Sequence, residues 1–213
     1  MAPLVGVLAL QGDFADHEAA LHTHGLRTRQ VRSAAQLAGL DGLVLPGGES
    51  TTMLKLLDVE GLWRPLGDAL RTGLPVFATC AGMILLAEHV ENPRQRSYGL
   101  LPIAVVRNGY GRQFHSGTFA LQSDVLPPGT TGTFIRAPRI TSVGPGCEVL
   151  ARRDGDAVLV RKGPLLAACF HPELQQHHPV CALFAAAVRQ RASGSVPRHA
   201  GAAIVPPQHE AAS

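Results

Sequence analysis

Pro75-Val76-Phe77-Ala78-Thr79-Cys80-Ala81-Gly82 is the stretch that decides the fold. A short apolar run ends at Thr79, as expected of a strand buried on both faces. Gly82 to His89 then continues in a helical pattern. A strand that passes directly into a helix through small residues has the layout of a nucleophile elbow, with Cys80 in the place of the usual serine. A tight turn there projects the sulfur from the end of the sheet. The N-terminus of the following helix favours a thiolate over a thiol, and the Ala81 N–H points toward a developing oxyanion. A buried core cysteine is the commoner use of this residue type, so Cys80 gains weight only from what the chain brings beside it.

Outward from that segment, strands and helices alternate. Leu4–Leu10 reads as a buried parallel strand ending at Gln11-Gly12. Asp13 is placed to cap a helix over Phe14–His24, which Gly25 ends. Thr28–Val31 is a weaker strand, and Gly42–Leu45 a third, stopped by Pro46-Gly47-Gly48. Apolar spacing predicts helices over Thr51–Leu57 and Leu62–Arg71. From Leu101 to Val160 the chain is rich in Gly, Pro, Thr and Val and reads as antiparallel strands and loops. Leu165–Cys169 returns to a buried strand, and Val180–Arg191 is a final amphipathic helix. The expected fold class is α/β: a single three-layer domain over residues 1–192 with a mostly parallel central sheet, helices on both faces and a small antiparallel patch. Residues 193–213, rich in Gly, Ser, Pro, His and Ala, are expected to form a disordered tail. No internal repeat is evident.

The bulk numbers agree with one globular domain. The chain has 213 residues, 46% hydrophobic and 16% charged, a composition unlike that of a disordered protein. A net charge of only +3, from scattered arginines, makes no basic stripe for nucleic acid. No apolar stretch reaches the roughly 18 residues of a membrane span. Met1 to Leu10 lacks a basic region and a cleavage pattern, so a cytoplasmic location is expected. Cys80, Cys147, Cys169 and Cys181 show no CxxC spacing, which gives neither a zinc ribbon nor a redox pair.

Two further segments lie where strands end, the edge at which open α/β sheets collect their ligands. Phe170-His171-Pro172-Glu173 follows the last apolar run. A histidine that takes a thiol proton must be held in one tautomer by an acceptor, and Glu173 stands two residues on. A lone histidine is more often structural; His-Pro-Glu at a strand end beside a candidate elbow is a sharper signal. Leu45-Pro46-Gly47-Gly48-Glu49-Ser50 carries paired glycines that permit close backbone approach, and Gly48 is placed to give a second oxyanion donor. A phosphate loop is the rival there, but no GxxxxGK[ST] pattern exists and Lys55 falls too late. A plain turn is the simplest alternative.

Together these segments resemble the triad-type (class I) glutamine amidotransferases. Within them the chain looks like the glutaminase subunits of pyridoxal 5′-phosphate synthases. The matching stretches are Gly6–Gly12, LPGGESTTM at 45–53, TCAGMILLA at 79–87, Arg107-Asn108 with Gly111-Arg112-Gln113, FIRAP at 134–138, and CFHPEL at 169–174. The elbow and His-Pro-Glu are shared across the class; LPGGESTTM and FIRAP are specific to those subunits. The resemblance implies a flavodoxin-like fold, with Cys80 as nucleophile, His171 as general base and acid, and Glu173 as orienting carboxylate. It further implies that Gly48, Glu49, Ser50, Arg107, Ile135 and Arg136 bind L-glutamine and that Gly48 and Ala81 form the oxyanion hole. Arg107 would pair with the substrate carboxylate, since a guanidinium fork suits one. No metal and no organic cofactor is implied. The implied partner is the larger synthase subunit, with Gln11 and the first loop near that interface.

The chain departs from the pattern in places. Ala78 stands where the elbow usually has glycine, so a slightly altered turn is expected. His115 replaces an aspartate and is expected on a loop without a catalytic role. The rival functions are a glutaminase serving an imidazole or purine synthase, a non-catalytic subunit that only stabilises an assembly, and a stress-response cysteine protein of related fold. LPGGESTTM and FIRAP oppose the first, the intact Cys80, His171 and Glu173 set opposes the second, and His-Pro-Glu opposes the third.

Overall fold

In the computed structural model the described residues are 1–109 and 116–194. The expectations for Gly111-Arg112-Gln113, for His115 and for the tail from 195 onward lie outside them.

The apolar runs become strands because both of their faces are covered. All four residues of Gly42–Leu45, Val76–Thr79 and Leu165–Ala168 are buried, as is most of Leu4–Leu8. In chain order the elements are β1 (Leu4–Leu8), α1 (Phe14–Thr23), β2 (Arg27–Val31), β3 (Gly42–Leu45), α2 (Ser50–Val59), α3 (Trp63–Leu70), β4 (Val76–Thr79), α4 (Ala81–Leu86), β5 (Ala87–Glu91), β6 (Leu101–Val106), β7 (Gly117–Ala120), β8 (Thr131–Phe134), β9 (Arg139–Val143), β10 (Glu148–Arg153), β11 (Asp156–Lys162), β12 (Leu165–Ala168) and α5 (Pro179–Ala192).

Among the described residues the main sheet has seven strands in the order β10-β11-β12-β4-β3-β1-β2. From β12 to β2 every pairing is parallel, while β10, β11 and β12 pair antiparallel. The expected mostly parallel α/β sheet is therefore present. Its four central neighbours, β12, β4, β3 and β1, all finish at the same edge, so the loops after them converge. Helices cover the sheet as two groups. α1 and α5 pack together, and Phe77 of β4 lies between the His17 ring at 5.8 Å and the Phe184 ring at 5.6 Å. α2, α3 and α4 form the second group, with α4 packed on β3, β4 and β12.

The middle of the chain is more varied than expected. β5, β6 and β9 form a three-stranded sheet, with β5 parallel and β9 antiparallel to β6. β7 and β8 form an antiparallel pair. β10 and β11 leave this region to extend the main sheet. The expected helix over Gly82–His89 is corrected: α4 stops at Leu86, and Ala87 begins β5 in extended backbone. All six residues of α4 are buried, so no polar face marks where the helical period ends.

A second correction concerns Asp13. It holds the N-cap position of α1, but its side chain makes no capping hydrogen bond. Its Oδ2 lies 3.4 Å from His171 Nδ1 instead. Gly25, with φ +67°, follows the helix as expected of a C-terminal glycine. No helix among the described residues is long and apolar enough to cross a membrane.

Candidate active site

Cys80 is the hinge between β4 and α4. Its N–H extends the ladder to Ala168 O at 2.9 Å, and its carbonyl accepts Ile84 N–H at 3.2 Å to open the helix. Doing both within one residue forces φ to +45° and ψ to −104°. For a residue with a Cβ such a conformation costs on the order of 1–3 kcal/mol and persists only where its surroundings hold it. The strained position of the elbow is thus Cys80 itself. Ala78 sits inside β4, paired with Leu45 and Ala167, and its backbone is not strained. Gly82 is where the elbow needs glycine, because a Cβ there would lie 2.0 Å from the Leu45 backbone oxygen. Ala81 is the first residue of α4, so its N–H belongs to the set that a helix leaves without an internal partner.

His171 arrives from the neighbouring strand. β12 ends at Ala168, and the His171 N–H is held by Thr133 O at 2.8 Å. Pro172 then starts a 3₁₀ turn over Pro172–Leu174, which folds Glu173 back so that its Oε1 lies 2.7 Å from His171 Nδ1. Nδ1 is thereby the nitrogen facing the carboxylate, and the rest of the ring is left for Cys80, which lines the same cavity. Burial pulls the His171 pKa down, but hydrogen bonds from Cys80 and Glu173, together with their charges, outweigh it and lift it to about 10. Burial likewise raises Glu173, and the charges and hydrogen bonds of His17 and His171 outweigh that and hold the carboxyl at about 2. The electrostatics favour a protonated imidazole against the Glu173 carboxylate, and a cationic imidazole is the kind of neighbour that makes a cysteine nucleophilic.

The Pro-Gly-Gly loop after β3 packs against these groups through glycine contacts. A Cβ on Gly47 would lie 2.4 Å from His171 Cε1, and one on Gly12 would lie 1.9 Å from Gly47 O. Gly48 has φ +127° and lies against Gln11, whose Oε1 accepts the Glu49 N–H at 3.1 Å.

A cavity of about 240 Å³ opens in front of Cys80 and His171. Gly48, Glu49, Ser50, Arg107, Ile135 and Arg136 all line it, so the structure gathers every expected substrate contact in one place. Asp13, Ile84, Asn108 and Pro138 complete the lining. Glu173 is buried behind His171 and is not part of this lining. Asn108 and Arg136, at φ +51° and +43°, add to the left-handed residues that Cys80 and Gly48 place at this cavity, a clustering typical of functional sites.

Glu49 has a structural duty as well. Its carboxylate caps α2, accepting Thr51 N at 3.0 Å and Thr52 N at 2.7 Å, and Arg107 Nη2 reaches it at 2.8 Å. Partial burial raises its pKa, and the donors of Thr51 and Thr52 overcome that and hold it at about 2. Ser50 Oγ donates to Gln95 Oε1 at 2.9 Å. Asp13, His171 and Glu173 bring one ligand atom each within 4.8 Å, close enough to share a cation, although His171 and Glu173 already hydrogen-bond each other.

Sequence reasoning missed the groups behind the carboxylate. His17 of α1 is buried against Glu173, and Thr79 of β4 is buried against His17. No motif marks His17, because a histidine inside a helix reads as an ordinary side chain.

Comparison with known proteins agrees with this geometry. The chain is 50% identical over 182 residues to the pyridoxal 5′-phosphate synthase subunit PdxT of Cutibacterium acnes, covering 81% of this chain and 90% of that one. It is 50% identical over 194 residues to the subunit of the same name from Koribacter versatilis, covering 89% and 98%. A crystal structure of a glutamine amidotransferase superposes with a TM-score of 0.81 at 42% identity, over 87% of this chain and 98% of that one. The structure of PurLQS from Thermotoga maritima shares the fold at 18% identity, with a TM-score of 0.61 over 92% of this chain and 99% of that one. The SNO glutamine amidotransferase family model matches residues 7–190, and the chain belongs to that family.

Proposed function

We propose that this chain is the glutaminase subunit of a pyridoxal 5′-phosphate synthase and that Cys80, His171 and Glu173 perform the reaction. The observation that carries this is the ordered set of Cys80, His171 and Glu173 at the end of a cavity lined by Arg107, Arg136 and the Gly48 backbone.

The Cys80 thiolate attacks the side-chain amide carbon of L-glutamine. The carbonyl π electrons move onto oxygen, and the N–H groups of Ala81 and Gly48 receive that charge. Loss of one such donor costs about 10²–10³ in turnover elsewhere. His171 gives its proton to the amide nitrogen, the C–N bond breaks, and ammonia leaves with a glutamyl thioester on Cys80. His171, now neutral, takes a proton from water as that water attacks the thioester. Glutamate departs and the imidazolium–thiolate pair is restored. Glu173 holds the imidazole in one tautomer and stabilises its charge. Glu49, Ser50, Arg107, Ile135 and Arg136 hold the substrate, with the Arg107 guanidinium on its carboxylate. This half-reaction takes no metal or organic cofactor.

The relatives' names make them subunits of a synthase, and this chain delivers its ammonia to the larger subunit of such a complex in the cytoplasm. The Gln11 loop lies at the strand tops, where the partner docks. The test is ammonia release from glutamine by the chain alone and with its synthase subunit, beside Cys80→Ala. Release that rises with the partner and vanishes in the variant is expected. No release in either state, with both proteins folded and bound to each other, overturns the enzymatic reading in favour of an assembly role.

A further inference from the structure

We propose that His17 is a positioning residue for this reaction: acting through Glu173, it fixes the His171 ring that faces Cys80. The inference rests on the roles given above to Cys80, His171 and Glu173.

His17 is only 1% exposed, and its Nε2 lies 3.3 Å from Glu173 Oε1 and 3.1 Å from Thr79 Oγ1. The same Oε1 accepts from His171 Nδ1 at 2.7 Å. One carboxylate oxygen therefore sits between two imidazoles, hydrogen-bonded to His171 and in charge contact with His17. The other oxygen, Oε2, is buried with no hydrogen-bond partner among the described residues. A buried carboxylate without enough donors takes up a proton. Glu173 thus depends on Oε1 for its charge, and His17 Nε2 is one of the two ring nitrogens within 3.3 Å of that atom. Burial raises the Glu173 pKa, and among the influences that lower it those of His17 come first.

His17 is held rigidly enough for the task. Its ring stands edge-on to Phe77 at 5.8 Å and 81°. Its backbone N–H bonds Asp13 O at 3.2 Å in the first turn of α1. Asp13, one turn earlier, comes within 3.4 Å of the same His171 Nδ1. One turn at the start of α1 thus contacts both members of the His171–Glu173 pair.

Loss of the His17 donor lets Glu173 rotate or protonate, and the His171 ring loses its fixed tautomer. That lowers turnover while the cavity that binds glutamine stays intact. The experiment uses the full chain in complex with its synthase subunit. His17→Phe keeps a ring against Phe77 and removes the donor. His17→Gln restores an N–H near the position of Nε2. His17→Met is the second donor-free variant, to be used if the phenylalanine ring does not pack. Glutamine-dependent ammonia release gives kcat and KM, and the low-field proton NMR resonance of the His171 Nδ1–H reports the bond to Glu173.

For His17→Phe, kcat should fall about 10–100-fold, as when partners that orient an active group are lost, with KM within about threefold of wild type. The low-field resonance should shift or vanish, and His17→Gln should recover most of both. Donor-free variants with wild-type kcat overturn the proposal, as does a glutamine variant no better than phenylalanine or a slowed variant with an unchanged resonance. Cys80→Ala is measured in parallel. A wild-type complex that releases no ammonia, or a Cys80→Ala complex that still does, refutes the underlying triad. Full activity in the His17 variants beside an inactive Cys80→Ala refutes the role of His17 alone.

Discussion

The central sheet and the smaller sheets line the same cavity, but they hold their residues differently. Cys80 and His171 follow β4 and β12, whose strands are fully buried and hydrogen-bonded to each other. Arg107 follows β6, and Ile135 and Arg136 follow β8, on short excursions nearer the surface, where Ile135 is 41% exposed. Groups that make and break bonds must keep sub-ångström geometry, and a buried parallel ladder supplies it. Groups that recognise a substrate tolerate a less rigid mounting. Damage on the first side should therefore appear in kcat, and damage on the second in KM.

The largest effect is expected at the strand ends. Cys80→Ala removes the sulfur proposed to form the thioester and should lower kcat by about 10⁴-fold or more. Glu173→Gln keeps the shape but offers an amide to His171, and a fall of about 10³–10⁴ in kcat with little change in KM is expected. Steady-state ammonia release in the complex measures both. A change in KM alone for Glu173→Gln would remove the carboxylate from the catalytic side.

Arg107→Ala should act in the opposite sense. Loss of a charged hydrogen-bond partner typically costs about 1.5–3 kcal/mol, so KM for glutamine should rise about 10–100-fold with kcat within about threefold. A drop in kcat at constant KM would move Arg107 to the catalytic group. Arg107 also touches Glu49, so circular dichroism of the variant should confirm that α2 remains capped.

The smallest expected effect is on stability. The folded-state pKa of Glu173 lies at about 2, below the ordinary 4.5. A depressed carboxyl contributes stability that is present above about pH 4.5 and is lost as the pH falls toward 2. Urea midpoints measured down through that window should fall, and Glu173→Gln should flatten part of the slope. An identical slope in the variant would show that Glu173 is not ionised in the fold.

The same contrast explains what was legible in the sequence. The runs ending at Leu8, Leu45, Thr79 and Ala168 are apolar because both faces of those strands are buried, so strands, elbow and His-Pro-Glu could be read directly. Pro46-Gly47-Gly48 was legible because its setting demands glycine: a Cβ on Gly47 would meet His171 Cε1 at 2.4 Å, and Gly48 has φ +127°. α4 was misjudged at its end because it is buried all round. Asp13 was read as a cap from its position, but the sequence holds no sign that His171 competes for its carboxylate. The contacts of Arg107, Ile135 and Arg136 came only from resemblance, since no local period places a loop residue at a distant cavity. The contacts of His17 were not legible at all, because its partners Thr79 and Glu173 are more than sixty positions away and only packing unites them.

The most direct test of Cys80 as the nucleophile is the site of covalent trapping. The complex is treated with a glutamine-like electrophile, and intact mass and peptide mapping locate the adduct. One adduct on Cys80, suppressed by glutamine and absent from Cys80→Ala, is the predicted result. An adduct on Cys147, Cys169 or Cys181, or none at all in a complex that still releases ammonia, would contradict that assignment.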